Sequence, residues 1–185
     1  MKAIIFTLFL LLWVSAIANP LTQSGLPPAP EGFAWQKLEE IKGAALVPNG
    51  WFFKKEEKKG TLAYFITQED IDKGGWYDTG LSIQVFRQPQ PNTAEEVART
   101  ILQGHNEKKE LLKSWKTSAG KMNGWGYQAK VKGANGKVTM VHSVIFSNPE
   151  TKTFYWVLFE STEEKWQEAL KIGEKLQMIA FNDKV

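Results

Sequence analysis

Between residues 125 and 159 the chain offers one strand-forming run after another, divided by turn residues, and this commits it to an antiparallel sheet. In residues 125–132, Tyr127, Ala129 and Val131 occupy alternate positions, the period of a strand with one covered face. Asn135-Gly136 follows, a dipeptide that suits a two-residue hairpin because both positions favour a positive φ. It leads into a run at 138–146. Asn148-Pro149-Glu150 then turns the chain into Phe154-Tyr155-Trp156-Val157-Leu158-Phe159. That last run is apolar on both faces, which places it in the middle of the sheet.

Earlier segments carry the same signals. Residues 44–47 run into the turn Pro48-Asn49-Gly50 and then Trp51-Phe52-Phe53. Residues 61–67 are rich in aromatic and apolar side chains, and in 81–86 Leu81, Ile83 and Val85 share one face. Between these, residues 68–80 are polar and contain Gly74-Gly75, so they read as a loop or a short helical turn. Thr93, with Glu96 three residues on, forms a capping box at the start of a helix. Ala94, Val97, Ala98, Ile101 and Leu102 make its apolar stripe, and the spacing returns Leu112 and Trp115 to the same side. Gly104 and the charged run at 107–110 predict a kink or a division into two helices. Ser161 or Thr162 caps a last helix with Trp166, Ala169, Leu170 and Gly173 on one face, and residues 178–181 close as a short strand or tail. The sum is an α+β fold, a sheet covered by helices.

The N-terminus has a different character. Lys2 precedes an apolar run from Ile4 to Val14, and Ser15-Ala16-Ile17-Ala18 ends it in the small-x-small pattern of a signal-peptidase site. The run falls short of the ~20 apolar residues that span a bilayer, so residues 1–18 read as a removed signal peptide. Residues 19–32 hold Pro20, Pro27, Pro28 and Pro30 with few large apolar groups, and read as a Pro-rich extended or disordered leader. One domain, 33–185, follows. Without Lys2 the chain has 22 basic and 20 acidic residues, too even a balance for a nucleic-acid surface. In the KKEEKK run at 54–59 the glutamates cancel much of the lysine charge. Cysteine is absent, so an exported chain has to rely on its core for stability, and thiol chemistry is excluded. The expected location is periplasmic or extracellular, with no membrane-embedded part in the mature form.

The layout resembles the PsbP proteins of photosystem II and their Mog1 and DcrB-like relatives. The resemblance is carried by Leu46-Val47-Pro48-Asn49-Gly50-Trp51, by Gly80-Leu81-Ser82-Ile83-Gln84-Val85 with the helix after it, and by Phe154-Tyr155-Trp156-Val157-Leu158-Phe159 with its Trp-containing helix and Met178-Ile179-Ala180-Phe181. These span residues 44–181. The resemblance implies a central, largely antiparallel sheet sandwiched between helices. It also implies a binding or assembly module without a shared catalytic constellation, here as an exported bacterial relative.

The residues themselves offer little chemistry. His142 shares a strand face with Met140 and Val144 while Ser143 points away, so the two cannot work as base and nucleophile. His105 continues the stripe of Val97 and Ile101 and reads as a core-margin residue. No phosphate loop, His-x-x-x-His or G-x-S-x-G occurs. Gly124-Trp125-Gly126 reads as a bend at a strand start. Glu69, Asp70, Asp72 and Asp78 offer oxygens to a hard cation such as calcium, but their spacing does not fit the twelve-residue calcium loop, and a solvated acidic loop explains them. No cofactor or metal site is assigned.

Aromatic residues are the more unusual content. Seven tryptophans follow the signal, and Trp35, Trp51, Trp156 and Trp166 lie on periodic elements as core residues. Trp76 and Tyr77 sit instead between Gly74-Gly75 and Asp78-Thr79-Gly80 in a polar loop. Rings on such hinges either form a binding surface or fold back to cap the sheet edge. The reading that follows is a non-enzymatic exported module that binds an unidentified protein partner or supports envelope assembly, with Trp76 and Tyr77 as the contact. The alternative is a carbohydrate-binding protein, with or without weak hydrolase activity.

Overall fold

The computed structural model describes residues 25–58, 60–87, 93–103, 109–133, 136–177 and 179–181. A seven-stranded sheet organises them, in the order β3(Phe52–Lys58), β4(Thr61–Thr67), β5(Gly80–Arg87), β9(Thr153–Thr162), β8(Val138–Asn148), β7(Met122–Lys132), β6(Lys109–Ala119). Every neighbouring pair in it is antiparallel. The doubly apolar run lies in β9, the fourth strand of seven, with Phe154, Trp156 and Leu158 facing one side and Val157 and Phe159 the other.

Each face has its own cover. Helix α2(Ala94–Gln103) lays Ala94 and Ala98 on β7 and β8, over Trp125, Tyr127, Ala129, Val141 and Ile145. Its N-terminus is the capping box read in the sequence: Thr93 N donates to Glu96 Oε2 at 2.6 Å and Glu96 N to Thr93 Oγ1 at 3.2 Å. Helix α3(Trp166–Leu176) covers the opposite face together with a small sheet, β1(Phe33–Leu38), β2(Gly43–Pro48) and β10(Ala180–Phe181). Gly173 lets α3 approach closely, since a Cβ there would meet Phe159 Cδ1 at 2.5 Å. The architecture is thus a large antiparallel sheet flanked by helices, with a second, three-stranded sheet sharing one flank.

Several local expectations are corrected. Leu112 and Trp115 belong to strand β6 and not to a continued helix. A bulge between Leu111 and Lys113 disturbs the alternation there and hides the strand period. Ser161 and Thr162 remain in β9, and α3 begins with Lys165 at its N-cap and no side-chain cap. Gly124 and Gly126 do not bend the chain; both lie inside β7, where Cβ atoms would strike Phe146 Cδ1 at 2.8 Å and Trp115 Cε2 at 2.3 Å. Within strand β1 only Trp35 was read in advance, as a core residue on a periodic element. Residues 25–32 run onto the rest of the fold: Trp35 Nε1 donates to Pro27 O at 2.7 Å, and Ala29 packs on the core. Residues 1–24, His105, Asn135 and Met178 lie outside the described residues.

Candidate functional site

The loop from β4 to β5 is built tightly. Asp70 Oδ1 accepts from Asp72 N at 3.1 Å and caps the four-residue turn α1(Ile71–Gly74), which Gly75 ends at φ 73°. Glu69 Oε2 accepts from the backbone N–H groups of both Asp78 and Thr79 at 3.2 Å, and so holds the returning limb. Gln68 N donates to Thr79 O at 2.9 Å beside it.

This frame sends the two adjacent rings in different directions. Trp76 projects outward with 63% of its surface exposed. Tyr77 folds inward over Gly80, edge-on to Phe65 with centroids 6.3 Å apart, and becomes half-buried. Its hydroxyl donates to the Glu160 carboxylate and accepts from Ser82. Burial, and then the charge of Glu160, raise the Tyr77 hydroxyl well above its ordinary value. Burial also raises the Glu160 carboxyl, and the Tyr77 hydrogen bond pulls part of that shift back. The Lys137 ammonium pairs with Asp78 and stands 5.1 Å from the Trp76 ring centre. Together Trp76, Tyr77, Asp78, Lys137, Thr139 and Glu160 surround a shallow depression of about 310 Å³.

The four loop acids are engaged separately. Glu69 holds backbone, Asp70 caps α1 and pairs with Lys73 at 3.2 Å, Asp72 meets Lys54 at 2.7 Å, and Asp78 meets Lys137. Among the described residues no cluster of three or more metal-ligating side chains forms.

Sequence comparison finds no matching family model and no matching curated protein. Solved structures do match. Cyanobacterial PsbP (CyanoP) from Synechocystis sp. PCC 6803 superposes with a TM-score of 0.56 at 11% identity, over 83% of this chain and 95% of that one. The Saccharomyces cerevisiae Ran-binding protein Mog1p superposes with a TM-score of 0.55 at 10% identity, over 80% and 95%. This chain has the PsbP/Mog1 fold.

On the PsbP/Mog1 fold, the sheet separates His142 from this corner. Glu160 shares the face of Trp156 and Leu158, whereas His142 shares that of Met140 and Phe146. The half-buried His142 ring accepts at Nδ1 from Gln128 Nε2 at 2.9 Å, which gives it the partner a buried imidazole needs. Burial, and then nearby Lys113, lower it to about 4. The tryptophans expected in the core are half-buried at Trp35, Trp51 and Trp156 and buried at Trp166. Glu160 went unread in the sequence: a lone acid in an apolar strand was its only signal, and its partner Tyr77 comes from a distant loop.

Proposed function

We propose that this protein is an exported, non-enzymatic binding module that takes a protein partner at the Trp76 corner of the PsbP/Mog1 fold. One observation carries the reading: a large indole stands mostly exposed on a loop whose neighbouring ring, acids and backbone are all fastened. Ordered aromatic rings with solvent-facing surface are what interface hot spots use, since little conformational freedom is lost when they are covered. Lys137 and Asp78 at the rim would set orientation more than affinity. The fold supports a binding role, because Mog1p, of nearly the same architecture, is a Ran-binding protein.

Export rests on the apolar start and its Ala16-Ile17-Ala18 end, and among the described residues no helix is long and apolar enough to cross a membrane. N-terminal sequencing of the exported form should begin at Asn19; an intact Met1 would contradict removal of the signal peptide. A photo-crosslinking residue at position 76 should give a discrete adduct in the native envelope, and one at Thr117, across the sheet, should not. Equal adducts at both positions, or none at 76, would remove the corner from the reading. The carbohydrate alternative calls for several rings on one face, whereas Trp76 is the one strongly exposed tryptophan among the described residues.

A further inference from the structure

On the face opposite Trp76, beside the end of α3, the sheet carries a trough of about 410 Å³, within the ~300–1,000 Å³ range of small-molecule sites. Val144, Phe146 and Val157 supply apolar lining, and Trp115 forms a wall. That wall is built into the sequence. Because Gly126 has no Cβ, the Trp115 indole lies directly on β7, where an added Cβ would come within 2.3 Å of it. There it meets the His142 ring edge-on, centroids 5.0 Å apart at 64°.

Lys113, Thr117, His142 and Gln177 supply the polar lining, and Gln177 Nε2 is buried with no hydrogen-bond partner among the described residues. Gln128 Nε2 has only hydrogens to offer His142 Nδ1, so the imidazole proton sits on Nε2 and that nitrogen is a donor. Burial keeps the ring neutral at neutral pH, so the donor brings no charge. At the rim stands Lys113, its ammonium 5.5 Å from the Trp115 ring centre and without an ion pair among the described residues. The described lining contains no carboxylate, so Lys113 is its one charged group. The lining therefore combines an apolar body, the neutral N–H donors of His142 and Gln177, the Thr117 hydroxyl and a single cation, Lys113.

We infer that this trough binds a small amphiphile with an apolar body and one carboxylate. The body would displace water from the lining, and the head would take a charge-assisted hydrogen bond that a neutral head forgoes. A cationic head would meet Lys113 and be repelled.

The test is calorimetric titration of the purified full-length protein with decanoate, decanol and decylamine, each below its micelle concentration. Decanoate should bind at one site, about tenfold more tightly than decanol, with decylamine weakest. Lys113→Glu, an exposed change that leaves the fold intact, should abolish the preference for decanoate and favour decylamine. His142→Phe should keep decanol binding and weaken decanoate several-fold, and Trp76→Ala should alter none of the three. Chemical-shift mapping should place the decanoate response at Trp115 and His142. Equal affinity for decanoate and decanol, no binding of any probe, an unchanged order in Lys113→Glu, or shifts elsewhere would each overturn the inference.

Discussion

Glu160 and Glu40 are moved in opposite directions by their surroundings, so they leave opposite marks on stability against pH. Glu160 is raised above its ordinary 4.5 by burial, so its folded form holds the proton more tightly than the unfolded chain does. Its contribution is present below 4.5 and is lost as pH rises through the raised value. Glu40 is lowered to about 2 by the Lys55 ammonium and then by the Tyr64 hydroxyl, which donates to Oε2 at 2.7 Å. Its contribution is present above 4.5 and is lost as pH falls toward 2. Denaturation midpoints across a pH series should show Glu160→Gln gaining on the parent above pH 4.5. Glu40→Gln should trail the parent at neutral pH and meet it near pH 2. Parallel curves would break both assignments. Tyr77→Phe should move the Glu160 titration further upward, as followed by carboxyl NMR; no movement would mean the two groups do not share a proton. None of this was legible at the residue level, because the burial of Glu160 and the partners of Glu40 both come from elements distant in the chain.

Among the elements, what could be read depended on how local the deciding contacts were. The capping box of α2 needs only residues three apart, and it stands where the sequence put it. Thr93→Ala should cost about 1 kcal/mol in urea unfolding, and an unchanged midpoint would show that this helix end contributes nothing. Leu112 and Trp115 were misread because a long helical period happens to reach them, while the Leu111–Lys113 bulge breaks the alternation that marks a strand. Their true partner is β7, where Gly126 makes room for the Trp115 ring. Gly126→Ala should therefore displace that ring and destabilise the protein by about 1–3 kcal/mol, with a shifted Trp115 indole resonance. A neutral result would mean the ring does not rest on β7. The two glycines held this information, but only knowledge of the register turns a small residue into a seat for a ring.

Across the whole molecule the sheet could be read further than its coverings. Alternation, hairpin turns and a doubly apolar run fix an antiparallel sheet with β9 in the middle, all from periodicity along the chain. Which surface sits on which face depends on the long connections. The three-stranded sheet beside α3 and the trough across from the Trp76 corner therefore emerged only in three dimensions. The same limit applied to the candidate site. The sequence pointed to Trp76 and Tyr77 as a pair, yet the turn ending at Gly75 gives one ring to solvent and the other to Glu160. That division of labour underlies the proposed binding corner, and side-by-side urea unfolding of Trp76→Ala and Tyr77→Ala tests it most directly. The first variant should stay within about 0.5 kcal/mol of the parent, and the second should lose ~3 kcal/mol as its packing and its hydrogen bond to Glu160 disappear. Comparable losses in both would place the indole in the packing and leave the corner without a ring to offer a partner.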